Sequence, residues 1–308
     1  MPSPKSKTKP SRTPKKPAQP QAEWTFSAIG TEWWIGVYES VDPAALALLQ
    51  QKVNQRIELF DKTYSRFRGD SLVTQLAQSA GSYTFPTDCK PLFRFYEQLY
   101  EITDGLVTPL IGQTLANAGY DATYSLQSGH ISAPPKWKDV LNLYNQTLTA
   151  TQPVLLDFGA AGKGYLVDIL SELLHGAGVV RFCIDASGDL YCSQLAEPLR
   201  IGLENPQNVA QAIGIVSMQN GALCGSAGNR RAWGKYHHIL NPHTLEPVQD
   251  IQAVWVSAET TMLADGLATA LFFVPAEQLQ KHFRFAHCIV QADNTVQCSA
   301  DFPAELFT

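Results

Sequence analysis

The chain has 308 residues, of which 45% are hydrophobic, 10% aromatic and 17% charged, enough apolar material for a large buried core. Its formal net charge of -5 hides an asymmetry: residues 1–22 hold Lys5, Lys7, Lys9, Arg12, Lys15 and Lys16 and no acid, and removing those six from 23 basic residues leaves 17 against 28 acidic ones. Such an acidic body argues against nucleic acid as a partner, because phosphate contacts need clustered Lys and Arg, and no run of about 18 apolar residues marks a transmembrane segment.

Residues 1–22 also carry six of the 19 prolines among Ser, Thr and Gln, too polar and too proline-rich to bury, and are read as a disordered basic tail. The tail has no apolar run of the kind a secretory signal needs and no Cys for lipid attachment, which predicts a cytoplasmic protein. Cys89, Cys183, Cys192, Cys224, Cys288 and Cys298 form no CxxC pair and fall mostly in apolar runs, the pattern of buried free thiols in a reducing compartment rather than of a zinc site. Residues 23–308 are expected to form one domain.

Trp24 to Glu39, rich in β-branched and aromatic residues and broken at Gly30-Thr31, predicts two strands around a turn. From Pro43 onward Leu46, Leu49, Val53, Ile57 and Phe60 recur at helical spacing. Asp70-Ser71 caps a shorter helix to about Gln78, and Asp88 caps another whose Leu92, Phe95, Tyr96 and Leu99 make an apolar stripe ending near Gly105. Gly112 to Gln152 is polar and turn-rich and reads as a long excursion or a small subdomain joint. Val154-Leu155-Leu156-Asp157 predicts a short strand, followed by a Gly-rich turn and a helix with Leu166, Ile169, Leu170, Leu173 and Leu174 inward and Gly176 as its C-cap.

Strands then dominate: Val179–Asp185, Leu190–Cys192, Leu199–Leu203, Ile213–Met218, Ala222–Cys224 and Ala253–Ala258, joined by short turns that favour hairpins. Helices at Thr260–Phe273 and Pro275–Phe283 and strands at Cys288–Gln291 and Val296–Cys298 close the chain. Consecutive strands beside segregated helices predict an α+β fold of mostly antiparallel sheets with packed helices.

Three segments could carry chemistry. Asp157-Phe158-Gly159-Ala160-Ala161-Gly162-Lys163-Gly164 lies between a strand and a helix, where glycines permit close backbone approach and a helix N-terminus with Lys163 favours an anion such as phosphate. It lacks the Walker spacing, and taken alone it is better explained as an ordinary Gly-rich turn with a solvated Lys. Asp265 and Thr269, four apart on a helix, present two hard oxygens to one side, as Mg²⁺ prefers, or cap the helix and bond back to a carbonyl. In His237-His238-Ile239-Leu240-Asn241-Pro242, a histidine can move protons near neutral pH, or simply pack.

Read together and in order, these segments resemble the FAD:protein FMN transferases of the ApbE family. The landmarks are Ile29-Gly30-Thr31, Tyr64-Ser65-Arg66-Phe67 with Asp70-Ser71, Thr103 to Pro109, Asp157 to Asp168, Ser187-Gly188-Asp189, His238 to Pro242 and Ala264 to Leu271, spanning about residues 26–292. The resemblance implies transfer of FMN from FAD onto a Thr or Ser hydroxyl of a target protein, with AMP released and Mg²⁺ required. It implies Mg²⁺ held by the Ala160 carbonyl, Asp265 and Thr269, and FAD contacted by Ile29, Phe67, Gly105, Leu106, Val107, Asp157, Lys163 and Ile239. His238 and Lys163 take the catalytic positions. Hydrolysis of FAD to FMN and AMP, or FAD binding without catalysis, are the alternatives. Four positions depart from the family pattern: Ile29 for Met, and Ser187, Ala227 and Leu245 for Gly, the last two at turns expected to need positive φ.

Overall fold

The structure, a computed structural model, describes residues 19–307. Most of the expected tail lies outside that range, but the Gln21 N–H donates to the Val37 carbonyl at 2.7 Å and Ala22 opens the first strand, so the folded body begins inside residues 1–22. In chain order the elements are β1 (Ala22–Ala28), β2 (Thr31–Val37), α1 (Pro43–Tyr64), α2 (Leu72–Leu76), β3 (Gly81–Thr84) and α3 (Cys89–Ile102). There follow α4 (Gly112–Asn117), α5 (Trp137–Val140), β4 (Leu141–Tyr144), β5 (Thr147–Ala150) and α6 (Gly162–Gly176). Then come β6 (Phe182–Asp185), β7 (Asp189–Ser193), β8 (Leu199–Asn205), β9 (Asn208–Met218), β10 (Gly221–Ala227), β11 (Ala232–Trp233) and β12 (Tyr236–His237). The chain closes with β13 (Ile251–Ala258), α7 (Thr261–Ala270), α8 (Ala276–Leu279), β14 (Ala286–Gln291), β15 (Val296–Cys298) and β16 (Ala304–Leu306).

An eight-stranded sheet in the order β1-β2-β6-β7-β10-β13-β14-β15 forms the middle layer, antiparallel at every pairing. Its two faces bury different cores, because successive strand residues point to opposite sides. Phe182, Ile184, Cys224, Val254 and Val256 face the helices and join one core with Val53, Phe60, Leu92, Leu166, Leu170 and Leu267. Cys183, Cys192, Leu223 and Cys288 face the other way, into a second core covered by the sheet β16-β9-β8 through Leu203, Val216, Met218 and Phe302. The α+β expectation is thus met.

Several local expectations are corrected. Val154–Asp157 runs extended but is no strand: its bonds go singly to the Leu76 carbonyl (Val154, 3.2 Å) and the Pro109 carbonyl (Asp157, 2.7 Å), on different partners. The excursion from Gly112 to Gln152 is built around the β4–β5 hairpin, whose Asn145 takes the left-handed turn conformation (φ 56°) and whose β5 pairs with β3. Gly178 (φ 83°), not Gly176, ends α6, with its N–H on the His175 carbonyl and that of Val179 on the Leu174 carbonyl. Asp88 stands at the start of α3 without capping it, because its carboxylate pairs with Arg56. Cys288 and Cys298, facing each other across β14 and β15, are joined as a disulfide, so the six free thiols expected from the sequence become four.

Helices α6 and α7 cap each other. Asp168 on α6 accepts from the Thr261 and Met262 N–H groups at 2.7 and 2.8 Å, satisfying the start of α7, while Asp265 on α7 accepts from the Gly164 N–H at 2.9 Å, near the start of α6. Glycine is required at 164 by the closeness of the helices, since a Cβ there would lie 2.3 Å from the Thr261 carbonyl oxygen. Replacing Asp168 by Ala is expected to lower stability by about 1–2 kcal/mol, as loss of a cap does, and Asp168→Asn to recover only part of it, since the two amides are accepted by different oxygens and Asn offers one. Urea and thermal unfolding check this, and wild-type stability in Asp168→Ala would show that the cap carries no load.

Candidate functional site

A cavity of about 780 Å³, within the range of small-molecule sites, opens where the α6 and α7 N-terminal halves meet the β6–β7 turn, the edge of β8 and the loop after β10. Ile29, Phe67, Leu106, Val107, Asp157, Ala160, Lys163, His238, Ile239, Asp265 and Thr269, separated by up to 240 positions, all line it. Gly105 does not. It turns the chain after α3 at φ 79°, next to Asp104 at φ 52°, and so aims Leu106 and Val107 at the cavity instead.

The turns at the rim hold their conformation despite bulkier residues. Ile29 (φ 43°) and Gly30 (φ 78°) make the two-residue turn between β1 and β2, Ser187 (φ 59°) and Gly188 (φ 103°) that between β6 and β7. Leu245 sits at φ 62°, so the expected left-handed turn exists with Leu in it, whereas Ala227 lies in β10 and needs no positive φ. A β-branched residue in the left-handed region costs on the order of 1–3 kcal/mol, and at Ile29 that strain faces the cavity.

Asp157 is tied down from two sides. Its carboxylate pairs with the buried Arg66 guanidinium and accepts from the Gly159 N–H at 2.6 Å, which bends the chain so that Ala160 also lines the cavity. Burial opposes charge on Asp157, but Arg66 outweighs it and holds the carboxyl below its ordinary range. Arg66 also donates to the Tyr120 carbonyl at 2.6 Å and lies 4.2 Å from the Phe67 ring centre and 4.7 Å from that of Tyr120, and its Nη2 is buried without a partner. Tyr124 stacks on Phe67 with ring centres 5.3 Å apart and planes 13° apart, completing an aromatic wall.

On the α6 side the amides expected to be free for an anion are taken: Gly162 donates to the Phe158 carbonyl, Ala161 to the Tyr96 hydroxyl and Gly164 to Asp265. Lys163 donates to the Ala186 carbonyl at 2.9 Å and pairs with Asp189, itself 1% exposed. Burial works against the Lys163 charge, yet Asp189 and Asp265 together keep it protonated. Asp265 is pushed well above the ordinary carboxyl range by burial and then by Asp189. Lys163 is thus paired with Asp189, while burial holds Asp265 toward its neutral form, so a cation placed beside it would take the place of its proton.

The donors beside that pocket fit Mg²⁺: one carboxylate, the Thr269 hydroxyl and the Ala160 carbonyl are all hard oxygens, and such an ion completes its shell with water and phosphate. Among the described residues no three His, Cys, Asp or Glu side chains form a metal-holding group. Arg231 also lines the cavity, and its charge reaches Asp157, Asp265 and His238, while its neighbour Arg230, at the cavity as well, pairs with Glu204 at 2.7 Å.

Sequence reading gave no role to Arg66, Asp189, Asp168, Tyr120, Tyr124 or Arg231. Arg66 and Asp189 sit inside quoted landmarks, and an acid at 168 within an apolar helix stripe was a signal that could have been read.

His238 is half-buried, with its Nδ1 shut off from solvent and unpartnered. Burial first, then Arg231 and His237, lower its pKa to about 3. Between pH 6.5 and 3 the unfolded chain then binds a proton at this position that the folded chain refuses, so stability falls as pH falls through that window, and one such group contributes ~2 kcal/mol between pH 7 and 5. His238→Gln should shrink the loss of urea midpoint on going from pH 7 to 5. An unchanged loss would place a normal, protonatable histidine there.

The sequence profile of the ApbE family matches residues 29–290. The FAD:protein FMN transferase of Klebsiella pneumoniae (strain 342) is 25% identical over 296 residues, covering 88% of this chain and 84% of that protein. That of Escherichia coli (strain K12) is 22% identical over 278 residues, covering 83% and 79%. Among solved structures, an ApbE protein from Thermotoga maritima superposes with a TM-score of 0.76 at 20% identity over 92% of this chain and 99% of the other. The flavin transferase ApbE of Vibrio cholerae does so with 0.75 at 18% over 91% and 97%. These two share the fold.

Proposed function

The chain belongs to the ApbE family and is an enzyme of the FAD:protein FMN transferase class, and from that premise we propose that it joins the FMN part of FAD to a Thr or Ser hydroxyl of an acceptor protein, releasing AMP, with Mg²⁺ at the phosphates. The observation that carries the reading is the donor set of the cavity: Lys163 is taken up by Asp189, which leaves the buried Asp265 carboxyl, whose proton a cation could replace, beside the oxygens of Ala160 and Thr269. Ala160, Asp265 and Thr269 would hold the ion, which when bound offsets negative charge on the phosphate under attack.

The other residues divide the remaining work. Ile29, Phe67, Leu106, Val107 and Ile239 offer apolar surface to the flavin, and Asp157 and Lys163, fixed by Arg66 and Asp189, offer the polar edge. Arg231 brings positive charge to the diphosphate. His238 is neutral, so its ring can accept the proton of the incoming hydroxyl, and diphosphate charge beside Arg231 would offset one cause of its weak basicity. No helix of the described residues is long and apolar enough to cross a membrane. A cytoplasmic setting rested partly on six free thiols, and the Cys288–Cys298 bond removes that support.

Intact-mass spectrometry of the protein with FAD, Mg²⁺ and an acceptor domain bearing an exposed Thr tests the reading. The expected result is an FMN-sized gain on the acceptor with AMP released, both lost on chelation, and about 10²-fold slower in His238→Ala. FMN and AMP without a labelled acceptor would mean hydrolysis, and intact FAD throughout would mean binding alone.

A further inference from the structure

Two cysteine pairs, Cys183/Cys192 and Cys288/Cys298, occupy equivalent places in the ladder. The β6–β7 turn is closed by the Ala186 N–H on the Asp189 carbonyl at 2.9 Å, which makes 186/189 a hydrogen-bonded pair. Counting outward along the register, Asp185/Leu190 is non-bonded, Ile184/Tyr191 bonded and Cys183/Cys192 non-bonded. On β14 and β15 the Gln291–Thr295 and His287–Ser299 bonds likewise make Cys288/Cys298 a non-bonded pair, with Cα atoms 4.0 Å apart. Non-bonded antiparallel pairs bring Cα atoms to about 4.5 Å and both side chains to one face, within the span a disulfide bridges.

Cys183 and Cys192 are fully buried in the same apolar core, and their sulfur atoms lie 2.7 Å apart, closer than sulfurs in ordinary packing contact. We propose that Cys183 and Cys192 are a second disulfide-forming site, oxidised by a small-molecule disulfide as the β6–β7 hairpin folds. The thiolate of one cysteine attacks the reagent, releasing one thiol and leaving a mixed disulfide. The second cysteine displaces the reagent's other half, so that two S–H bonds become one S–S bond and the reagent leaves as two thiols carrying the two electrons and two protons. Once formed, the bond lies in a fully buried core, out of reach of an attacking thiolate.

The link would matter to the site because this hairpin carries, at its tip, the Ala186 carbonyl and the Asp189 carboxylate that hold Lys163. The bond closes a loop of only the eight residues from Ile184 to Tyr191, so it fixes the hairpin's own register rather than its place in the sheet.

The full chain, refolded in oxidised glutathione, is denatured in guanidinium with iodoacetamide and digested with trypsin. No Lys or Arg lies between Phe182 and Arg200, so both cysteines stay on one peptide, and Cys288 and Cys298 stay together on 285–308. The expected product is 182–200 without alkyl groups and lighter by two hydrogens, becoming doubly alkylated after reduction. The same peptide doubly alkylated without reduction, or joined to 285–308, overturns the proposal. A Cys183→Ser chain that folds should carry on Cys192 either an alkyl group or the glutathione half of an unresolved mixed disulfide, and a link from Cys192 to another cysteine of the chain would overturn the proposal.

Discussion

The site depends on two helices that exchange carboxylates. Asp168 leaves α6 to close the first turn of α7, and Asp265 leaves α7 to take an amide at the start of α6. Each N-terminus carries partial positive charge and unpaired N–H groups, so the exchange stabilises both while pulling the helices together until only glycine fits at 164. Burying Asp265 in this way puts a carboxyl group into the core beside Lys163, which is already paired with Asp189. The structural device and the pocket proposed to take a cation are one feature seen from two sides.

Around that pair, separate parts of the sheet deliver the other groups. The β6–β7 turn supplies Asp189, the β1–β2 turn supplies Ile29, and the loop after β10 supplies Arg231 and His238. Asp157 lies on an extended segment held by bonds to two different partners, and Arg66 fixes its carboxylate. A position set by several elements at once suits a site that must hold a long dinucleotide at both its flavin and its phosphates.

How far this was legible differs by feature. Helical stripes such as Leu49, Val53 and Phe60 and the alternating strands announce themselves, because burial periodicity is written locally. The β4–β5 hairpin was missed because its short, polar strands find their partner β3 some sixty positions away, and the Val154–Asp157 strand was wrongly expected because apolar β-type residues also suit an extended segment bonded to loops. The site residues came forward through the order of their motifs. What stayed hidden were the partners, Arg66 for Asp157 and Asp189 for Lys163, since a pairing across 91 positions leaves no trace in local spacing. Gly164 was read as making room for a ligand, and it makes room for a helix instead.

The central claim is that buried Asp265 couples cation and nucleotide binding at the junction of α6 and α7. The dissociation constant of FAD, followed by flavin fluorescence with and without Mg²⁺ in the wild-type chain and in Asp265→Asn, tests it most directly. The account predicts that Mg²⁺ tightens FAD binding by about tenfold or more in the wild type, a coupling of ordinary size between linked sites, and by little in the variant, which still folds because Asn can accept from Gly164. FAD binding indifferent to Mg²⁺ in the wild type, or tightened equally in both proteins, would contradict it.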